Sequence, residues 1–423
     1  MNNDELQVLG ERRNLNKRDK KKIAVVLLAT AVALCAVFCW FLYSKQPEIA
    51  EKEKGDSTII PELQAAVDSL LNAELTEING LQGQVIVMEV HTGEVLAMVG
   101  LERNFEGKFQ PCKNFAYQQE LGSLMKTASL LAALETGKAE LSDVVDTGEG
   151  IWNAGNGWLM KDHNWRRGGY GMLTLDRVME VSSNIGITKT IWKIFKGHEQ
   201  DFINMLDSMS LGQPESIDGI EGLRPAFFNS PKDLDWVDKN VLWSAIGYCQ
   251  KMAPIQMLTF YNAIANDGKM VKPTLKTGEI EIINPQIASK DNIKKMQVIL
   301  DHVVSQGLGK KAGSPLLRVA GKTGTAQVAI YDFGEDKDVY EYNVAFCGYF
   351  PADEPKFSMI VSMNKLGLPA SGGGMAGVVF HNVTEWMIAH GILPLSIVDE
   401  ATSDTIKITP NNIRAITDSL SKE

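Results

Sequence analysis

The sequence predicts an α+β fold in which an antiparallel sheet is flanked by helices, a mostly helical subdomain is inserted between its strands, and one transmembrane helix precedes it. Three observations carry this expectation. An early pair of β-rich runs, QVIVMEVHTGEVLAMVG, is split by His91-Thr92-Gly93-Glu94, a hairpin signal. From Ser123 to about Ala265 the chain reads as mostly helical, with long loops. Late in the chain, VAGKTGTAQVAIY, NVAFCGYF and KFSMIVSM read as strands, and a helix from about Met375 to His390 carries Val378, Val379, Val383, Trp386 and Met387. Strands near both ends, with helices between, imply that the two ends share one sheet.

At 423 residues and 44% hydrophobic content, the chain can bury a full core. The run from Ile23 to Tyr43 has no charged residue and matches the ~20 residues that span a bilayer. Arg12, Arg13, Lys17, Arg18, Lys20, Lys21 and Lys22 precede it, which by the positive-inside rule holds the N-terminus in the cytoplasm. The expected organisation is a cytoplasmic basic tail (1–22), a membrane anchor (23–44), a Glu/Lys-rich linker (45–56), an exported domain (57–392) and a polar C-terminal tail (393–423). The expected location is the inner (cytoplasmic) membrane, crossed once, with the main domain periplasmic or extracellular. Beyond Ser44 there remain 35 basic against 48 acidic side chains, a net charge near −13, which argues against nucleic acid as a partner. Cys112, Cys249 and Cys347 lack metal-ligand spacing and read as buried small apolar residues. The histidines are scattered, so neither a metal nor a cofactor is expected.

In chain order, Pro61 opens a helix with Leu63, Val67, Leu70 and Leu71 on one face. The hairpin follows. Next comes LGSLMKTASLLAALETG, read as one amphipathic helix with Ser123 at its start and Gly137 as its stop. Ile151 to Gly171, rich in Gly, Asn and Trp, reads as an ordered loop. Thr174 is a plausible N-cap for LDRVMEVSSN, with Asp176 in the first turn where the helix dipole favours a carboxylate.

Ser123 and Lys126 form an i, i+3 pair on their helix, so hydroxyl and amine share a face. A buried amine loses its charge and can take the hydroxyl proton, and a free N–H at the helix start can bind an oxyanion. Such a pair is cheap alone, since Ser362/Lys365 and Ser419/Lys422 repeat the spacing. Two further motifs raise its value: Ser182-Ser183-Asn184 at the end of the Thr174 helix, and Gly321-Lys322-Thr323-Gly324-Thr325 at the start of a strand. Decoys exist for both. Ser362-x-Asn364 lies inside a strand, and Lys276-Thr277-Gly278 is followed by Glu279, whose charge repels an anion where Thr325 can donate a hydrogen bond. At the later site Lys322 offers a cation, Thr323 and Thr325 offer hydroxyls, and Gly324 lets a ligand lie along the strand edge. A carboxylate-terminated peptide suits it.

Ser-x-x-Lys, Ser-x-Asn and Lys-Thr-Gly in this order are a known catalytic set. With TGEVLAMV, GGYGMLTLDRVMEVSSN, AIGYCQKMAPIQMLTFYNAIANDGKMVKP and SGGGMAGVVF, the region from Ser57 to Ala389 resembles the transpeptidase domain of penicillin-binding proteins, closest to the class B, monofunctional type. The GGYGMLTL…SSN segment is similar to septal, cell-division members. The resemblance implies a penicillin-binding protein/β-lactamase-like fold and a peptidoglycan D,D-transpeptidase that β-lactams inhibit. Ser123 would attack the carbonyl between two D-alanines of a stem peptide, with Lys126 as general base, kept neutral by burial and by Lys322. Ser182 would relay a proton to the leaving amine, and Asn184 would hold Lys126 and the substrate amide. Lys322, Thr323 and Thr325 would bind the terminal carboxylate, and the N–H groups of Ser123 and Thr325 would form the oxyanion hole. The implied partners are stem peptides, β-lactams and a membrane-embedded glycan polymerase or other cell-wall proteins. Two departures stand out: Leu121 occupies a position where the family usually has proline, and only a short linker separates anchor from domain. Strand polymerisation is not expected. Two alternatives remain: a D,D-carboxypeptidase or β-lactamase that gives the acyl group to water, and a non-catalytic β-lactam sensor or scaffold.

Overall fold

The computed structural model describes residues 56–155, 157–332, 338–399 and 404–420. The expected basic tail and anchor, and the linker up to its last residue, lie outside the described residues. Among those described, no helix is long and apolar enough to cross a membrane.

The sheet unites the two ends of the chain, as the pattern predicts. Its strands are β1 (Gly80–Glu89), β2 (Val95–Arg103), β3 (Phe109–Pro111), β4 (Ala320–Asp332), β5 (Asp338–Phe350) and β6 (Phe357–Leu366). They run β4-β5-β6-β1-β2-β3, antiparallel throughout. β1 and β2 close around Gly93, whose φ of +80° suits glycine, and a side chain there would fall 2.4 Å from the Lys272 carbonyl oxygen. β1 is buried on both faces, and the period-two alternation divides its residues. Val85 and Val87 point into one core, Ile86 and Met88 into another.

The first core lies between the sheet and two helices, α1 (Pro61–Glu77) and a later helix, Gly377–Ala389. Pro61 occupies the first turn, where its missing N–H costs nothing. Leu63, Val67, Leu71 and Leu75 are buried, whereas Leu70 is only partly covered. Phe346 and Phe380 meet edge to face with centroids 4.7 Å apart, joining β5 to the closing helix.

The second core holds the inserted helical region. Its centre is α2 (Met125–Glu135), preceded by a 3₁₀ turn at Gly122–Leu124. This element is not the amphipathic helix that the apolar spacing predicts: every residue from Met125 to Leu134 is buried. Sheet and helices cover it on all sides, so its polar members find partners inside. Tyr261 Oη donates to the Leu124 carbonyl (2.9 Å) and pairs with Thr127 Oγ1 (2.6 Å), and Ser129 donates to the Ala245 carbonyl. The helix ends before Gly137, at φ +66°. The following loop is more regular than its composition suggests, because Ile151–Asn153 pairs with Leu159–Lys161.

The Thr174 helix is shorter than expected. It covers Leu175–Glu180 (α3), and a second helix, α4 (Asn184–Phe195), starts almost at once. Ser182 lies between them in a left-handed conformation, φ +52°. Thr174 stands at the N-cap position, and its hydroxyl donates to Asp176 rather than capping the backbone. Of the cysteines, Cys347 is buried, while Cys112 and Cys249 are only half-buried, and all three are free. The tail is structured: Ser396–Asp399 pairs with Asp404–Lys407, and Ile413 and Ile416 of helix Ile413–Leu420 pack on the first core.

Candidate active site

The three distant motifs converge. Ser123, Ser182, Asn184, Thr323 and Thr325 line one cavity of about 380 Å³, together with His163, Tyr248 and the glycine-rich segment around Ser371. Lys126 and Lys322 lie beneath its floor, both fully buried. Lys126 Nζ donates to the Ser182 carbonyl (2.6 Å) and to Ser182 Oγ (3.2 Å). Lys322 Nζ reaches the same hydroxyl at 2.8 Å and the Thr323 carbonyl at 3.1 Å. Ser182 is thus the meeting point of the site, and its left-handed backbone turns both carbonyl and hydroxyl toward the amines.

Glycines let these parts touch. Gly122 lies against Thr325: a side chain at Gly122 would fall 2.8 Å from the Thr325 carbonyl oxygen. Gly324 serves the same seam. A Cβ there would lie 2.9 Å from the Leu121 carbonyl oxygen, so its free space is filled by the turn that presents Ser123 and not by a ligand on the strand edge. Gly372 closes over the strand, and its N–H donates to Thr325 Oγ1 at 3.1 Å. Gly247, at φ +96°, backs the Gly122 turn from the helical side.

The electrostatics follow from burial. Desolvation lowers the Lys126 amine to about 7, opposed by the nearby Asp162 carboxylate. Burial also drives Lys322 well below its usual range, and Lys126 adds to the effect. Two ammonium groups sharing one hydroxyl in a dry pocket cannot both stay charged, so the pair titrates as a unit. Burial thus works against a charge on Lys322, the lysine expected as the fixed cation. Asp162 favours the proton on Lys126.

Asp162 escapes sequence reasoning because its loop has no periodicity. It is buried, accepts from Ser183 Oγ (2.8 Å) and the Ile185 N–H (3.1 Å), and so holds the start of α4. Asn184 faces the cavity, but its amide nitrogen donates to the Lys161 carbonyl at 2.8 Å, while Lys126 is held by Ser182. Replacing Asp162 by asparagine removes the charge that favours Lys126 protonation. A base acts when unprotonated, so with Lys126 as the base the resemblance implies, its amine at about 7, the rising limb of an acylation pH profile is expected to move to lower pH in Asp162→Asn. An unmoved or raised limb in stopped-flow acylation across pH would remove Asp162 from this role.

The decoys lie elsewhere. Lys276 pairs with Asp218 (3.1 Å), and the Thr277 N–H bonds the Asp56 carbonyl. Ser362 is buried under Gln119 and Asn343, and Lys365 donates to the carbonyls of Leu366, Gly367 and Pro369. Among the described residues no group of three or more metal-ligating side chains is found.

Comparison with known proteins agrees with this geometry. The family described as "Penicillin binding protein transpeptidase domain" matches residues 83–385. Over 349 residues the chain is 27% identical to "Penicillin-binding protein PbpB" of Mycolicibacterium smegmatis, covering 74% of this chain and 50% of that protein. It is 25% identical to "Peptidoglycan D,D-transpeptidase FtsI" of Escherichia coli K12 over 326 residues, 75% of this chain and 52% of the other. The chain therefore spans about half the length of the curated relatives it matches. The apo structure of the transpeptidase domain of penicillin-binding protein 3 from Burkholderia pseudomallei superposes with a TM-score of 0.67 at 26% identity, covering 80% of this chain and 97% of that one. A family match across most of the chain, together with a shared fold and three motifs gathered in one cavity, leads to a single assignment: the chain belongs to the penicillin-binding protein transpeptidase domain family.

Proposed function

We propose that the protein is a peptidoglycan D,D-transpeptidase that cross-links stem peptides through an acyl-enzyme on Ser123. The observation that carries this reading is the convergence of Lys126 and Lys322 on Ser182 beside Ser123. Lys126, its amine lowered to about 7, takes the Ser123 proton as the hydroxyl attacks the penultimate D-alanine carbonyl. The tetrahedral oxyanion is received by the backbone N–H groups of Ser123 and Thr325. Ser182 then passes the proton to the departing amine of the last D-alanine. The substrate carboxylate, held by Thr323, Thr325 and Lys322, restores the charge that burial removes from Lys322. An amine from a neighbouring stem peptide finally displaces Ser123 from the acyl carbon.

The same reading includes attachment to the cytoplasmic membrane through residues 23–44, with the catalytic domain outside and a membrane glycan polymerase as a fitting partner. The test is mass spectrometry of the intact protein after exposure to benzylpenicillin. One covalent adduct is expected, mapped to a peptide containing Ser123 and absent from Ser123→Ala. An adduct on another residue, or none, would overturn the assignment.

A further inference from the structure

The cavity has two walls of opposite character. The strand wall presents donors: the Thr323 and Thr325 hydroxyls, with the Lys322 amine behind them. On the helical wall, Asn184 has its amide nitrogen committed to the Lys161 carbonyl, which leaves its side-chain oxygen as the acceptor for the cleft. Beside it stands His163, whose Nε2 lies 2.8 Å from the Tyr170 hydroxyl, with the two rings edge to face at 5.6 Å. The buried Asp162 carboxylate lies under this wall.

The His163–Tyr170 pair is held firmly. Gly168, Gly169 and Gly171 flank Tyr170 at φ +95°, +72° and +66°. Gly169 packs so closely on Gly150 that a side chain would fall 2.2 Å from the Gly150 nitrogen. Partial burial and the neighbouring Lys126 lower the His163 imidazole, with Arg167 and Lys322 acting the same way and Asp162 opposing, so the ring is neutral near pH 7. Burial keeps the Tyr170 phenol un-ionised, and with its oxygen accepting the His163 Nε2–H the ring's free acceptor is Nδ1. A neutral imidazole accepts a hydrogen bond from an incoming N–H, whereas an imidazolium would repel it.

We infer that His163, oriented by Tyr170, is the acceptor-binding residue: with the Asn184 side-chain oxygen it receives the incoming amine of the second strand, opposite the wall that receives the donor carboxylate. The inference rests on the proposed transpeptidase reading. In the step served, the acceptor nitrogen, entered as free amine, bonds to the acyl carbon and the ester C–O bond to Ser123 breaks. The proton released by the nitrogen passes through Lys126 to Ser123 Oγ, leaving amide and free enzyme.

The test uses the full-length protein, an N-acyl-D-alanyl thioester donor and D-methionine as acceptor amine. Acylation by labelled benzylpenicillin is measured in parallel. In His163→Ala the aminolysis-to-hydrolysis ratio, read from the partition of one acyl-enzyme and so independent of how fast it forms, is expected to fall at least about tenfold, in line with the loss of one polar contact at a reacting centre. His163→Gln, which can still accept an N–H, should recover much of the ratio, and Tyr170→Phe should lower it while keeping the fold. An unchanged ratio in His163→Ala and Tyr170→Phe overturns the inference. Failure of wild-type protein to be acylated at all would count against the transpeptidase reading instead.

Discussion

Replacing Lys126 by methionine is expected to lower the second-order rate of acylation by benzylpenicillin about a thousandfold, within the range that a positioned general base supplies. Methionine has nearly the length of lysine without its charge, so it fills the dry site above α2 and the fold should survive. What is lost is the amine that bonds Ser182 at both its carbonyl and its hydroxyl. The orphaned Ser182 carbonyl adds a penalty of about 1–3 kcal/mol to stability, which a thermal melt would register as a modest fall. Stopped-flow acylation with labelled penicillin is the decisive measurement. If Lys126→Met keeps more than a tenth of the wild-type rate while folded, the proton from Ser123 has another destination, and Lys322 is the next base to examine. The converse substitution, Lys322→Met, leaves the Lys126 bonds in place and removes the depressed amine beside Thr323. Its effect should fall more heavily on ligands bearing a carboxylate.

Gly247→Ala is the second change expected to be severe, although position 247 makes no chemical contribution. Its φ is +96°, and a Cβ there would lie 2.0 Å from the Gly122 carbonyl oxygen, closer than non-bonded atoms can approach. The obstacle is backbone, so no side-chain rotation relieves it, and the turn carrying Ser123 must move. A displacement near 1 Å at a reacting group costs roughly a hundredfold in rate. The expected result is a protein with near-native circular dichroism and penicillin acylation down about a hundredfold. Retention of normal acylation would mean that the nucleophile tolerates repositioning.

Much of this was legible in the chain itself. The strands are marked by β-branched runs, and the residues that line the cavity or lie beneath it by three short motifs whose residue types suit one task. What escaped was set by tertiary packing. The spacing of Leu124, Ala128, Leu131 and Leu134 predicts one buried stripe, yet α2 is enclosed on every side because sheet and helices both pack on it. Gly324 suggested room for a ligand, but the Leu121 carbonyl occupies that room. Asp162, His163 and Tyr170 lie in a segment without periodicity, where only the folded loop shows that the first two come near the lysines and that Tyr170 pairs with His163. Ser182 could be named from sequence, but its left-handed backbone could not, since a serine carries no bias toward φ +52°.

The strand order has a consequence for how the molecule comes into being. β1, near the start of the domain, is flanked by β6, made nearly three hundred residues later, and β4 and β5 reach it only through β6. Such distant pairings are slow to form and offer no stable halfway house during synthesis. A growing chain that already carries Ser123 and Ser182 still lacks the platform on which they meet until residues 357–366 have emerged. Fragments ending before that point should be inert and prone to clump.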